Sequence, residues 1–494
     1  MLKSLNRFLP HPLVSLIFSL FIILYWQSAD IFLRHHDIGW HIAAGQQIRE
    51  LGAIPKYDSW SFTAGDTVWF NISWLWDITV SKIYEIGGFA PLVLATILLG
   101  ALLCAFLAKI CLSLGISTIF TLFGVLIVGL VFPFYQPPWD YVLSIAPQAV
   151  SLLFFLIYYL LLLHVPEGKC RKKIWMLPLL MLLWVNMHGG FFIGYMLIGS
   201  AFLAALINRQ FSAIKIYFII GIACVVVAAI NPLGVHIIDA VMRGLNGAGN
   251  SNITEWMPFE FGVNLSSAYL LLFIMTAQWR KPDIALFCRI VAFICLAAGL
   301  LQKRNFVYFL FSSLPVLLMS IEPWFIKFNI LAKRILDIEN DMEKSRIAFV
   351  SAFVAVFAIL IVVTPWAMKK RFPEGVSLPK EFYPAEEIAY LRSRLTGSVP
   401  EPIFNSWNFG GYLIFSLHDK VKVYIDGRAD TVYPASLITL PMLETYEKLE
   451  KNNSIHFAIT PNYQPLSQVY FKANPHWKKV FVGKVATVFE RTGN

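Results

Sequence analysis

The chain has 494 residues, of which 57% are hydrophobic and only 14% charged, against roughly 25% charged in ordinary soluble domains. That composition excludes a water-soluble globular enzyme and fits a multi-pass membrane protein. The net charge of +10 does not signal nucleic-acid binding, because the basic residues collect in alternate loops as membrane topology requires.

Lys3 and Arg7 precede an apolar stretch from about Leu13 to Leu33. It is long enough for a hydrocarbon core that takes about 20 residues, and too long for a signal-peptide core, so it reads as an uncleaved first span. A large external loop follows over 34–86. In it, residues 38–51 predict an amphipathic helix, with Ile38, Ile42, Gln46 and Arg49 at helical spacing before Gly52 and Pro55 end it. Residues 53–73 read as irregular, and 74–86 as a second interfacial helix rich in aromatic anchors. Further apolar segments lie near 89–108, 117–134, 143–164, 174–187, 190–207, 216–231, 263–278, 284–301, 305–321 and 347–366, about eleven spans in all. Segments 174–187 and 216–231 are short, which marks them as tilted, re-entrant or enclosed by protein.

With the N-terminus inside, the cytoplasmic loops carry Lys109, then Lys169, Arg171, Lys172 and Lys173, then Arg209 and Lys215, then Arg280 and Lys281, then Lys327, Lys333, Arg334, Lys344 and Arg346, as the positive-inside rule demands. The tail from about Lys369 then lies outside. All six cysteines fall in predicted spans or on the cytoplasmic side, so no disulfide framework is expected. The tail alternates helix (384–395), strand ("PIFNSW"), helix ("GGYLIFSLH"), strand (420–426), helix ("PASLITLPMLETYEKLEK") and three strands (456–460, 478–483, 485–491). The expected fold is therefore an all-α membrane bundle over 1–366, carrying the first external loop at 34–86, and a soluble α/β domain over 367–494.

Candidate chemistry clusters in a few places. Asp37 and His41 stand four apart and share a helix face with Trp40, beside Arg34, His35 and His36. Asp37 is equally placed to cap the helix starting at Ile38 or to act as a general base. His36, Asp37 and His41 are candidate ligands for a divalent metal. Asp58, Asp66 and Asp77 share the loop, with turn chemistry and a helix-surface charge as the plain readings. In "WVNMHGGFFIGY", Asn186 and His188 mark either a cavity wall or a tight external turn. Lys303 and Arg304, basic residues at an external helix end, suit a phosphate or lipid headgroups. Glu255 and Glu260 stand in another external loop. In the tail, Gly410 and Gly411 permit close backbone approach, and Asp426-Gly427-Arg428 follows a strand end, as a binding loop or a structural ion pair. No Walker A, GxSxG, HExxH or dinucleotide fingerprint occurs.

The motifs "DIGWHIAAGQQIRELGAIPKYDSWSFTAGDTVWFNISWLWD", "WVNMHGGFFIGY", "NPLGVHIIDAV" with "ITEWMPF", "QKRNFVYFLFSSLP" and "FNSWNFGGYLIF...VYIDGRADTVY" together resemble a bacterial family related to the GT-C glycosyltransferases. That class depends on lipid-phosphosugars and includes protein O-mannosyltransferases and oligosaccharyltransferases. The resemblance implies a catalytic acid in the first external loop, a position that Asp37 occupies. Two departures stand out: Ile38 replaces the partner acid many class members have, and Ala146 precedes Pro147 where the resemblance leads one to expect Arg.

What the resemblance implies is an inverting transfer of a hexosyl or pentosyl group from a polyprenyl-phosphate-linked donor, at the periplasmic face of a bacterial inner membrane. Asp37 and His41 are the expected catalytic pair. Arg34, His36, Trp40, Asn186, His188, Lys303, Arg304, Glu255, Asp426 and Arg428 are the expected substrate contacts. The partners are membrane lipids, the lipid-linked donor and an acceptor glycan, lipid or protein, with no nucleic acid. The competing readings are a transporter or flippase of a lipid-linked or polar solute and a non-catalytic assembly subunit. Ionisable residues at span ends and the lack of an internal repeat count against transport.

Overall fold

The computed structural model describes residues 12–27, 32–65, 67–131, 144–168, 172–240, 242, 254–262, 264–277, 286–328, 376–428, 431–433, 437, 444 and 454–492. The predicted span 347–366, all of the predicted helix 434–451 but residues 437 and 444, Asp66, Cys170 and several basic loop residues (Lys169, Arg171, Arg280, Lys281 and those from Lys333 to Arg346) lie outside them.

In chain order the helices are α1 (Pro12–Gln27), α2 (Ile38–Leu51), α3 (Trp74–Gly87), α4 (Phe89–Ser113), α5 (Thr118–Leu126), α6 (Pro147–Leu163), α7 (Met176–Met187), α8 (Phe192–Ile207), α9 (Phe211–Ala228), α10 (Leu265–Ala277), α11 (Leu286–Leu301), α12 (Phe306–Phe328), α13 (Ala385–Arg394), α14 (Trp407–Leu417) and α15 (Pro465–Ala473). The strands are β1 (Glu401–Asn405), β2 (Val421–Val423), β3 (Phe457–Pro461), β4 (Trp477–Val482) and β5 (Ala486–Arg491). The chain divides into two compact units.

The first unit comprises Met1–Phe32, Val93–Ile230 and Thr254–Val376. Four helical stretches are long and apolar enough to cross a membrane: Phe89–Ser113, Gly189–Ile207, Phe211–Ala228 and Lys303–Trp324. Shorter apolar helices overlap every other predicted segment before 347–366. On α9 the side chains of Phe218, Ile222, Val225 and Val226 are exposed, an apolar strip suited to a hydrocarbon surrounding. Inside the unit, polar groups are spent on the backbone. Tyr25 donates to the Gly129 carbonyl at 2.7 Å, and the buried Glu322 accepts the Ser117 N–H at 2.9 Å, capping α5. The five described cysteines are free and buried.

The second unit comprises Leu33–Leu92, Asn231–Ile253 and Ser377–Asn494. Residues 34–86 thus fold with the tail, whereas the sequence places them with the bundle. Its sheet runs β2-β1-β3-β5-β4. β1 pairs in parallel with both β2 and β3, while β5 pairs antiparallel with β3 and β4. Beyond β2 the loop itself continues the sheet: Phe62 N–H donates to Val423 O at 3.2 Å and Val423 N–H to Trp60 O at 2.9 Å, so the β2 edge is covered by its own chain. Trp40, Ala43, Ala44, Trp60, Ala64 and Trp69 from the loop sit in one hydrophobic core with Ile403, Leu413, Val423 and Phe489 of the tail. The tail therefore gains a shared core in place of disulfides.

One expectation for the loop is corrected. Residues 38–45 of α2 are all buried, so this helix is a core element and not an amphipathic interfacial one. It is covered on one side by α3 and on another by α14. Residues 53–73 are irregular as read, interrupted only by two isolated bridges among the described residues, Tyr57 with Val68 and Ser61 with Val423. A helix that the sequence leaves unread, α15, stands between β3 and β4.

Candidate active site

Close backbone crossings build the site. A Cβ added at Gly39 would strike the Gly411 carbonyl, and one at Gly411 would strike the His36 carbonyl and lie 3.2 Å from Trp40 Cδ1. Gly411 of "NFGGY" thus lets α14 lie directly on the first turn of α2, while its neighbour Gly410 faces the Ile425 carbonyl and Asp426. Gly45 plays the same part at the α2–α3 crossing, facing the Asp77 carbonyl and the Ser81 side chain. Gly427 has no room for a side chain because the Asp37 carboxylate occupies that space. The Asp-Gly-Arg turn of the tail is in this way seated on the acid of the first loop.

Asp37 stands at the N-cap position of α2 with φ −89° and ψ −14°, and its side chain makes no capping bond. It is half-buried. Burial pushes its carboxyl above the usual carboxylate range, Asp426 adds to that rise, and His41, the Trp40 indole and His36 oppose it. His35, buried, is lowered to about 3 by burial and by His41, and accepts the Asp37 N–H at Nδ1 over 3.4 Å. His36 stacks on Phe382 with ring centroids 4.4 Å apart. Burial lowers it to about 4, with Asp37 opposing the drop and His35 reinforcing it. Both imidazoles are therefore neutral near pH 7. Tyr383 lies 2.8 Å from the Leu33 and His35 carbonyl oxygens and donates its proton to that pair.

His41 Nδ1 lies 2.5 Å from Asp77 Oδ1, and Asp77 Oδ2 accepts from Asn71 Nδ2 at 2.8 Å. Asp77 is 0% exposed, which corrects its reading as a helix-surface charge. Burial raises its carboxyl, with His41 and Asn71 opposing. The His41 ring stacks on Trp40, centroids 3.6 Å apart. Among the described residues, no group of three or more His, Cys, Asp or Glu side chains converges to hold a metal ion.

Arg428 is enclosed. Its Nε and Nη2 donate to Asp426 at 2.9 and 2.8 Å, and Nη1 donates to Asp58 at 2.6 Å. The guanidinium carbon lies 5.0 Å from the Trp60 ring and 4.9 Å from the Trp69 ring. Tyr433 donates to Asp426 at 2.6 Å. Asp58 also makes the turn contacts expected of it, accepting the Trp60 and Ser61 N–H groups at 3.1 and 3.0 Å. Burial alone would raise Asp58, but Arg428, Ser61 and Trp60 outweigh it and hold the carboxyl below its ordinary value. The structural ion pair read from the Asp-Gly-Arg turn is present, with the loop's Asp58 as a third member that spacing does not reveal.

Of the remaining expected contacts, Arg34 is exposed beside this site. Asn186, His188, Glu255, Lys303 and Arg304 belong to the first unit. Asn186 Nδ2 donates to the Leu182 and Ile230 carbonyls at 2.8 and 3.1 Å. His188 Nδ1 accepts the Gly190 N–H at 3.0 Å and lies 2.7 Å from the Ser151 hydroxyl, in a tight turn between α7 and α8. Lys303 pairs with Glu260 at 2.6 Å, the Arg304 guanidinium lies 5.0 Å from the Trp256 ring centre, and Glu255 sits in the short turn Thr254–Trp256. Sequence reasoning did not find Tyr383 or the role of Gly427, because their partners are distant in the chain, nor Asn71, because its partner Asp77 reads as a surface charge.

The fold is shared with two solved membrane enzymes, an oligosaccharyltransferase and ArnT. The chain is similar in fold to the Archaeoglobus fulgidus oligosaccharyltransferase in its apo form, with a TM-score of 0.55 and 13% identity over 91% of this chain and 69% of that one. The same enzyme tethered to an acceptor peptide containing the NVT sequon matches with a TM-score of 0.53 and 15% identity, over 91% and 68% of the two chains. Apo ArnT from Cupriavidus metallidurans matches with a TM-score of 0.51 and 12% identity, over 96% of this chain and 97% of that one. No protein-family profile and no curated protein sequence matches the chain.

Proposed function

We propose that the chain is a GT-C-type inverting glycosyltransferase, multi-pass in a bacterial inner membrane, with its N-terminus cytoplasmic and its tail periplasmic. It takes a hexosyl or pentosyl group from a polyprenyl-phosphate carrier and passes it to an acceptor glycan, lipid or protein. The observation that carries this reading is Asp37: an acid on the first helix after the first apolar segment, at a cap position it does not use. The fold shared with an oligosaccharyltransferase and ArnT supports it.

Asp37 takes the proton of the acceptor hydroxyl as that oxygen bonds to the anomeric carbon. The bond from that carbon to phosphate oxygen breaks, and the carrier phosphate leaves with the electron pair. A carboxyl raised by burial is a stronger base than an exposed one, which suits proton abstraction near neutral pH. Arg34, His36 and Trp40 remain substrate contacts in this scheme. Asp426 and Arg428 we assign to the scaffold, since their polar atoms are spent on each other, on Tyr433 and on Asp58. No step is routed through a metal, because the described side chains form no ligand set for one.

The test uses the full chain in lipid nanodiscs with a polyprenyl-phosphate hexose radiolabelled in the sugar, following release of label from the carrier. Asp37→Asn lowers the rate by at least about 100-fold, within the range for loss of a general base. Equal rates for the variant and the wild type remove Asp37 from the mechanism.

A further inference from the structure

A hydrogen-bond relay in the second unit reaches His41 from the backbone. Ser73 N–H donates to Asn71 Oδ1 at 3.1 Å, which fixes the orientation of that amide. Asn71 Nδ2 therefore donates to Asp77 Oδ2 at 2.8 Å, and Asp77 Oδ1 faces His41 Nδ1 at 2.5 Å. Asp77 is 0% exposed and His41 3%, so water does not compete for these groups. The ring is clamped by Trp40, and the glycine at position 45 brings α2 and α3 close enough for the contact. No catalytic step above uses Asp77 or Asn71.

We propose that Asp77, oriented by Asn71, is a positioning residue that holds His41 with a proton on Nδ1, leaving Nε2 as the acceptor nitrogen of the ring one helical turn from Asp37. A ring nitrogen paired to a carboxylate in this way has its tautomer set by that partner. The catalytic meaning rests on the glycosyl-transfer reading: Nε2 accepts the proton that Asp37 removes from the acceptor hydroxyl, and the resulting imidazolium is balanced by the Asp77 carboxylate. Asp37 is thereby returned to its ionised form.

The donor sense of the relay gives a sharp test. In Asp77→Asn the introduced amide must keep its oxygen toward Asn71 Nδ2, so its NH2 group faces His41 Nδ1 and drives the ring proton to Nε2. In the double variant Asp77→Asn with Asn71→Asp, the introduced carboxylate at 71 accepts from both Ser73 N–H and the amide at 77. The amide oxygen then turns back to His41, and the proton returns to Nδ1.

The ring protons are read by 15N NMR on the full chain, labelled at histidine, in lipid nanodiscs. The His41 signals are those lost in His41→Gln. The expected result is a protonated Nδ1 in the wild type, an unprotonated Nδ1 in Asp77→Asn and a protonated one again in the double variant. An unprotonated Nδ1 in the wild type, or no change in Asp77→Asn, overturns the proposal. In the sugar-release assay, kcat falls at least about tenfold in Asp77→Asn with KM held, and recovers in the double variant. An unchanged kcat overturns the positioning role. A wild type that releases no sugar sinks the transferase reading instead, while the ring-proton comparison still decides the assignment of Asp77.

Discussion

Replacing Arg428 by methionine tests whether the second unit is pinned by its buried charges. The substitution keeps most of the aliphatic volume and removes three charge-assisted bonds, to Asp426 Oδ1 and Oδ2 and to Asp58 Oδ1. It leaves two carboxylates with no exposure and no cation between them. Removing one partner of a buried ion pair costs about 3–5 kcal/mol. Asp58 retains donors from Trp60 and Ser61, and Asp426 retains Tyr433 and the residue-428 backbone N–H, so the lower figure, about 3 kcal/mol, applies. The assay is hydrogen exchange of the full chain in detergent micelles, read at the amides of Phe62, Val423 and Thr431, which donate across the loop, β2 and the Asp-Gly-Arg turn. A loss of about 3 kcal/mol speeds their exchange by about 150-fold. Rates within about threefold of wild type, a change of under about 0.7 kcal/mol, refute the reasoning.

Two further outcomes are expected. Gly411→Ala drives a methyl group into the His36 carbonyl and Gly427→Ala drives one into the Asp37 carboxylate; each lowers the thermal unfolding temperature of the full chain by the equivalent of about 1–3 kcal/mol, and an unchanged transition for either shows that the crossing has slack. Acid weakens the second unit through His35. Its folded value of about 3 lies below the unfolded value of about 6.5, so the unfolded chain binds the extra proton between those limits. The His35 contribution is complete above about pH 6.5 and declines as pH falls, by about 3 kcal/mol at about pH 4.5. His36, at about 4, acts in the same direction. Thermal unfolding from about pH 7 to about pH 4.5 shows a smaller acid loss in His35→Gln than in wild type, and parallel pH profiles for the two dismiss the effect.

Much of the architecture is legible in local pattern, because apolar helix runs and short alternating strands are set by neighbours in sequence. The apolar segments before 347–366, the first and second loop helices, and the strands near 401–405 and 486–491 all follow this rule. What pattern conceals is what covers an element. Ile38, Ile42 and Gln46 mark one face of α2, but α14, some 370 residues further on, packs against another, so the helix is buried where an interfacial one was expected. Asp77 reads as a surface charge until His41, 36 positions away, is found against it. Asp426 and Arg428 declare their pairing by proximity, whereas Asp58 lies 370 residues from Arg428. α15 escapes notice because it is only 9 residues long, shorter than a periodic signal resolves.

The covering of the β2 edge by residues 60–62 also has a consequence for biosynthesis. That strip leaves the ribosome long before residues 421–423 exist, so Trp60 and Trp69 wait without the core that receives them. A chain cut short before the sheet has neither a seat for Asp37 nor a partner for Asp58. Unfinished molecules therefore carry an unassembled acid and a bare aromatic strip open to proteases, and only completed synthesis closes it.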